Sequence, residues 1–295
     1  MGSTLRFMPE LAEVEYYRHR WDAGLGQTVQ SVALHGQLRV FRGTDIEELQ
    51  RTLRASVFSE SSSHGKWMMF RFARQRRFAW IGIHLGMTGE LHCEAANFSP
   101  GTHDHFVLQQ RERALVFTDP RQFGRVKFHA GSTEPEWWAE LPPEILSKKF
   151  TVQWVEEFLL RRGRAPLKAV LLMQQAFPGI GNWMADEVLW RARLHPALKA
   201  GRAALHALRL WKELRWVTAK SLRIVGKDFS SPPASWLFPH RWQPGGRCPR
   251  DGTLLRRATI GRRTTAWCPR CQFRGAERVP AAKRKAGTPG REAKE

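Results

Sequence analysis

The sequence is poor in acids. Only 27 Asp and Glu stand against 48 Lys and Arg, giving a formal net charge of +21 and a pI of about 11.0. A field of that sign favours a polyanion, and nucleic acid is the first partner to consider. A ribosomal or merely adhesive basic protein is the plain alternative. Cysteine is scarce too, with four in 295 residues. That number does not make a disulfide framework. Because Cys248, Cys268 and Cys271 gather late in the chain, they suggest a metal site in a reducing compartment. No apolar run approaches the roughly 20 residues of a membrane span. The N-terminus lacks the apolar core of a signal peptide, and there is no internal repeat. These absences predict a cytoplasmic protein without membrane contact.

What is present is aromatic. Thirteen Trp and 17 Phe argue for a folded, enzyme-like chain rather than a basic tail protein, and the length allows two domains. Residues 1–7 fit no element. Leu11, Val14, Tyr17 and Trp21 recur at helical spacing and give one apolar face, which Gly24 and Gly26 end. From about 28 to 129 the pattern is that of short strands. Runs such as Trp67–Phe72, Phe78–His84, Phe106–Gln109, Leu115–Thr118 and Arg125–Phe128 are separated by Gly, Pro and polar turns, which predicts a sandwich or barrel. A short helix is expected over 42–53. Residues 131–143, with Pro135, Pro142 and Pro143, read as a linker. Helices are expected over 151–161 with Thr151 as N-cap, and over 167–174, 182–191 and 203–225. A connection over 229–247 precedes a cysteine-bounded hairpin over 248–272. The tail beyond about 275 has no apolar pattern and is expected to be disordered. Cys93 follows a strand and reads as a packed small hydrophobe.

Four stretches carry chemistry. The first is Met8-Pro9-Glu10-Leu11-Ala12-Glu13-Val14-Glu15. Removal of the methionine would leave Pro9 as a free secondary amine, able to attack an aldehyde-level carbon and form an iminium ion. Glu10 is a carboxylate beside that amine, able to move protons. A capped helix start with acids at the positive dipole end explains the octapeptide equally well. The second stretch is Pro178-Gly179-Ile180-Gly181-Asn182, a glycine-rich turn feeding a helix through Ala185-Asp186-Glu187 to Arg191 and His195-Pro196. Such a turn can approach an anion closely, with Asn182 as cap and donor. Taken alone it fits a plain helix–helix turn better.

The third stretch has the form C-x2-D-x16-C-x2-C, made by Cys248, Asp251, Cys268 and Cys271. A carboxylate can replace a thiolate as zinc ligand, at some cost in affinity. A degenerate finger held by packing alone is the alternative. Gly261-Arg262-Arg263 lies inside this hairpin, where an arginine could clamp a phosphate. The fourth consists of two strand-end turns, His84-Leu85-Gly86-Met87-Thr88-Gly89 and Asp119-Pro120-Arg121-Gln122-Phe123-Gly124. Loop chemistry alone explains them. An apolar wedge for a base-flipping enzyme is the functional reading.

Taken together, these stretches resemble the formamidopyrimidine-DNA glycosylase (Fpg/Nei) family from Pro9 to Gln272. The resemblance implies an α+β fold. An N-terminal helix and two-sheet β-sandwich over 9–135 would follow an extension at 1–8 that the mature protein has to lack if the Pro9 amine is to be free. A helix–two-turns–helix domain over 144–235 and a zinc-type β-hairpin over 238–272 would precede a basic tail at 273–295. It implies a monomeric, nucleoid-associated repair enzyme acting on double-stranded damaged DNA. The enzyme would remove oxidised bases, oxidised purines foremost, and cleave abasic sites through a Pro9 Schiff base. Residue by residue, Pro9 becomes the nucleophile and Glu10 the proton carrier, with Glu13 tuning them. Lys66 becomes a catalytic phosphate contact, and Asn182 and Arg263 hold backbone phosphate. Met87 and Phe123 fill the void in the base stack, and Arg121 meets the orphaned base. Cys248, Asp251, Cys268 and Cys271 would hold one zinc ion.

The chain departs from the family pattern at Ala12, Gln122, Asp251 and the loop 229–244, and the loop leaves lesion preference open. A non-catalytic damaged-DNA binder on the same scaffold is the rival reading. A ribosomal or topoisomerase-like protein is a third, and it gives no reason for Pro9-Glu10 or Lys66.

Overall fold

The computed structural model describes residues 9–35 and 39–272. The basic tail expected to be disordered and the extension at 1–8 lie outside these residues.

Helix α1 (Leu11–Asp22) follows Glu10 as N-cap, carries Glu13 in its first turn, and has His19 and Arg20 in its last. That charge order suits the helix dipole. Val14 and Trp21 point into a β core, where the Trp21 indole N–H donates to the Val116 carbonyl at 3.2 Å.

The core lies between two antiparallel four-stranded sheets. One has the order β1 (Ser31–Leu34), β6 (Asp104–Gln109), β7 (Arg113–Thr118), β5 (Glu90–Ala95). The other has the order β2 (Val57–His64), β3 (Trp67–Arg74), β4 (Arg77–His84), β8 (Arg125–Ala130). Phe58, Phe70, Phe72, Phe106 and Phe117 fill the space between them. The expected sandwich is therefore present, and Cys93 packs against its core as a small hydrophobe.

Two sequence expectations need correction here. The short helix expected over 42–53 is present as α2 (Ile46–Leu53) but starts four residues late, after a 3₁₀ turn at Arg39–Phe41. Asp45 sets that start by accepting from the Glu48 N–H at 2.9 Å. The stretch 131–143 is not a bare linker. It holds a short helix, α3 (Glu136–Ala139), whose Trp137 lies against the sheet where β4 has Gly82. A Cβ at Gly82 would fall 2.6 Å from the Trp137 ring. The Lys127 ammonium sits 4.0 Å from the Trp137 ring centroid and 5.1 Å from that of Trp67.

The second core is helical. It joins α4 (Val152–Arg161), α5 (Leu167–Leu171), α6 (Asn182–Arg191), α7 (Ala200–Ala203) and α8 (Ala207–Asp228). Thr151 caps α4 as expected, accepting from the Trp154 N–H at 3.1 Å. The helix expected over 167–174 stops at Leu171. The one expected over 203–225 is broken by a 3₁₀ turn at Ala204–His206. Helix α8 packs on α1, and a Cβ at Gly226 would lie 3.4 Å from the Ala12 carbonyl oxygen.

The last element is the hairpin of β9 (Arg256–Ile260) and β10 (Arg263–Trp267). Its base packs on Trp190 and Leu237. Its tip rests on α5, since a Cβ at Gly261 would come 2.8 Å from that of Ala169. Among the described residues no helix is long and apolar enough to cross a membrane.

Candidate active site

The front of α1 meets the front of α6, and Glu10 makes the junction. Its carboxylate accepts three backbone N–H groups, from Gly181 (3.0 Å), Trp183 (2.8 Å) and Met184 (3.0 Å). These are donors that a helix start leaves unpaired. The expectation that Asn182 caps this helix is therefore wrong. Asn182 is its first residue, and Gly181 occupies the cap position. Glycine is required there because a Cβ would lie 2.2 Å from the Glu10 Cδ. Asn182 turns outward instead, donating from Nδ2 to the Thr264 carbonyl of the finger at 3.0 Å.

Pro9 is buried beside this junction. Glu13 stands one turn on, accepting from the Glu10 backbone N–H at 3.1 Å and the Trp183 indole at 3.0 Å. Burial raises the Glu10 pKa against the pull of Lys66 and of the Trp183 and Met184 amides. Burial first, and then the Glu10 charge, push Glu13 up to about 7. Two carboxyls whose pKa values burial raises, beside one amine position, are suited to proton transfer.

Lys66 comes in from the β2–β3 turn. Gly65 has φ +60, and a Cβ there would lie 2.9 Å from the Pro178 Cβ and 3.0 Å from the Gly179 nitrogen. The two turns thus press together. The Leu11 N–H closes the contact by donating to the Gly179 carbonyl at 3.0 Å. Burial lowers the Lys66 pKa, opposed by Glu10 and assisted by the Arg263 charge. Lys66 therefore feels both the carboxylate of α1 and the guanidinium at the start of β10. Arg263 itself is exposed. The structure thus gathers Pro9, Glu10, Lys66, Asn182 and Arg263 from four separate stretches of sequence.

A buried charge network holds this arrangement. The Lys168 ammonium donates to the Asn182 carbonyl at 2.6 Å and to the Asp186 carboxylate. The same carboxylate accepts from Arg241 Nε (3.0 Å) and Nη2 (2.6 Å) and from the Ala266 N–H (3.1 Å). Glu187 accepts from the Leu237 and Phe238 N–H groups at 2.8 and 3.2 Å. Helix α6 is thereby tied to α5, to the segment before the finger, and to β10. Sequence reasoning missed the network. The available signal was two adjacent acids inside an apolar helix, which must be paired if buried.

Met87 and Phe123 sit on two loops locked side by side. The buried Asp119 accepts from the Thr88 hydroxyl (2.8 Å) and from the Arg121 (3.3 Å) and Gly124 (2.7 Å) N–H groups. His84 Nδ1 accepts from the Gly86 N–H at 3.0 Å. Burial, with Lys66 and Arg42 nearby, lowers its pKa to about 4, so the ring is neutral. Gly86, at φ +66, lies where a Cβ would fall 2.4 Å from the Phe123 carbonyl carbon. Phe123 is 38% exposed with the Arg121 guanidinium 4.7 Å from its ring centroid, and Met87 is half-buried. A large exposed aromatic ring flanked by arginine can stack on a base.

The ligand atoms of Cys248, Asp251, Cys268 and Cys271 all lie within 4.8 Å of one another. Second contacts orient them. The Trp190 indole donates to Cys248 Sγ at 3.3 Å, the Cys271 N–H to Cys268 Sγ at 3.3 Å, and the Thr253 N–H to Asp251 Oδ1 at 3.0 Å. The cluster could hold a metal ion, and Asp251 takes the place expected of it.

Comparison with known proteins agrees with this geometry. The family profile described as formamidopyrimidine-DNA glycosylase N-terminal domain matches residues 8–126. That described as formamidopyrimidine-DNA glycosylase H2TH domain matches 141–231. A formamidopyrimidine-DNA glycosylase of Janthinobacterium sp. (strain Marseille) is 34% identical over 281 residues, covering 90% of this chain and all of the relative. One from Exiguobacterium sibiricum is 31% identical over 279 residues, covering 90% of this chain and 99% of the relative. Among solved structures, Lactococcus lactis Fpg in complex with abasic-site DNA superposes with a TM-score of 0.78 at 23% identity, covering 90% of this chain and 99% of the other. MutM bound to DNA containing carbocyclic 8-oxo-G gives 0.78 at 24% identity, with the same coverage. These two likenesses speak to the fold.

Proposed function

The chain belongs to the formamidopyrimidine-DNA glycosylase family, and from that premise we propose that it excises oxidised bases from duplex DNA and then cleaves the abasic strand. The observation that carries the reading is the convergence of Pro9-Glu10 with Lys66, Asn182 and Arg263 at the junction of the two cores. The family profile match opens at Met8, and a chain begun there would expose the Pro9 amine once the methionine is removed.

In this reading the target nucleotide is flipped out, because its sugar carbon is unreachable in the stack. The Pro9 nitrogen attacks C1′, and the bond from C1′ to the base breaks, the base leaving with the electron pair and a proton. Glu10 then protonates the ring oxygen as the C1′–O4′ bond opens, leaving an iminium between proline and sugar. The iminium acidifies the C2′ proton. Loss of that proton expels the 3′ phosphate, and a second elimination expels the 5′ phosphate. Glu13 tunes Glu10 through the shared burial. Lys66, Asn182 and Arg263 hold the backbone phosphates around the extruded nucleotide. Met87 and Phe123 fill the gap in the stack, and Arg121 meets the orphaned base.

Cys248, Asp251, Cys268 and Cys271 would hold one zinc ion. Three thiolates and a carboxylate carry the same charge as four thiolates, and the ion would brace the hairpin that bears Arg263. Formamidopyrimidines are ring-opened purines, which supports oxidised purines as the first substrate class. A panel of duplexes carrying single oxidised purines or pyrimidines tests this. Excision of the purine lesions followed by strand cleavage is expected. Tight binding without any base release would favour the non-catalytic binder.

A further inference from the structure

The β3–β4 hairpin has two unlike ends. Its register pairs Trp67 with His84 beside Lys66, and Arg74 with Arg77 at the opposite end. The eight-residue length of β3 sets those ends about 23 Å apart. At the far end lies a cleft of about 390 Å³, walled by Arg51, Arg74, Arg77 and Gln75. Arg54 and Arg76 flank it, the Arg54 carbonyl accepting from Arg74 at 3.3 Å. All five arginines are exposed. None forms an ion pair with a carboxylate among the described residues, and no acid lines the cleft.

We propose that this cleft binds the backbone phosphate of a second DNA segment while the first occupies the site at Lys66. Guanidinium forks match phosphate oxygens two by two. Arginines crowded without a counter-charge repel one another, and a phosphate among them relieves that repulsion. The arginines run as an open row from the end of α2 across the β3–β4 turn, which suits a backbone passing by. The half-buried Phe78 ring is already covered by the Arg71 guanidinium, 5.0 Å from its centroid. A free nucleotide stacking its base there would therefore compete with that guanidinium for the ring. The two strands act as a rigid spacer, so one site does not obstruct the other. With both filled, the protein can pass from one DNA segment to another without release into solvent, a path that sliding along one duplex does not offer.

The proposal rests on the reading of Lys66 and its neighbours as a DNA site, and its test keeps the two apart. The full-length protein and the variant R51Q/R74Q/R77Q are compared with undamaged duplexes too short to reach both ends of β3. Sedimentation should show two duplexes per wild-type protein at low salt and one per variant, and the salt slope of binding should fall by about three. Competitor-driven transfer of a pre-bound lesion duplex should slow about tenfold, if each lost phosphate contact weakens capture by a few-fold. Excision in a short lesion duplex should be unchanged, which also shows that the variant is folded. Equal stoichiometry in the two proteins overturns the proposal. So does displacement of the second duplex by millimolar inorganic phosphate or by a polyglutamate peptide, which would mark a free-anion or acidic-protein site. Failure of the DNA reading itself would appear separately, as absence of excision by the wild type.

Discussion

Glu10 and Trp183 are joined by a 2.8 Å hydrogen bond across 173 residues of sequence, the Trp183 backbone N–H donating to the Glu10 carboxylate. The same carboxylate takes two further amides of the turn. One side chain thus fixes the start of α6 to the start of α1, which Pro9 precedes. Under the proposed function, catalytic position and grip on DNA are therefore coupled.

That relationship separates two substitutions. Glu10→Ala leaves three buried amides without an acceptor and should cost about 3 kcal/mol, at the usual penalty for stranded donors. Glu10→Gln keeps an acceptor but cannot move the proton. It should retain part of the stability, since one of the two oxygens becomes a donor, while strand cleavage falls by about 10²–10⁴. Chemical denaturation and single-turnover strand cleavage on the two variants read the split.

Glu13 predicts a pH dependence. Its folded pKa, about 7, lies above the ordinary glutamate value of 4.5, so its protonated form is the one the fold favours. The associated stability is fully present below pH 4.5 and is lost as pH rises through about 7. The loss should approach roughly 3 kcal/mol by pH 8, shared with the coupled Glu10. Glu13→Gln should flatten the wild-type decline between pH 5 and 8 in a series of denaturation curves. A decline that persists unchanged would assign it elsewhere, Glu187 being the other carboxyl raised to about 7.

Asp186 predicts a large stability effect. Asp186→Asn leaves the fully buried Lys168 and the nearly buried Arg241 facing a neutral amide. Breaking such a group from one side costs about 3–5 kcal/mol. Adding Lys168→Met should recover part of it, because the stranded ammonium goes too. Because the same carboxylate holds the Ala266 amide of β10, DNA affinity should fall with stability.

Asp251 predicts a graded series of metal retention. The wild type should carry one zinc ion per chain, measured by elemental analysis after gel filtration. Asp251→Cys should hold it against chelator concentrations that strip the wild type, since thiolate suits zinc better than carboxylate. Asp251→Ala should lose it. Equal retention by all three would place the metal elsewhere or show the finger to stand by packing alone.

The β-sandwich was legible because its strands alternate turn signals with apolar runs, and the aromatic residues fill one core. The starts of α4 and α6 were legible from Thr151 and from the glycines before Asn182. The capping of α6 was not. The group that caps it lies at the other end of the chain, and no local pattern reports a partner so far away. The Lys168–Asp186–Arg241 network was hidden for the same reason. Trp137 was hidden because the prolines around it read as a linker, although it half-buries its ring against Gly82 of the sheet. The gathering of Lys66 and Arg263 about Glu10 came from the family resemblance rather than from periodicity.

The most direct test is borohydride reduction of the protein, beginning at Pro9, mixed with abasic-site duplex. A covalent protein–DNA adduct should form, its attachment should map to Pro9 by mass spectrometry, and it should vanish in Pro9→Gly. An adduct that forms as readily with the amine of Pro9 still in peptide linkage would contradict the account.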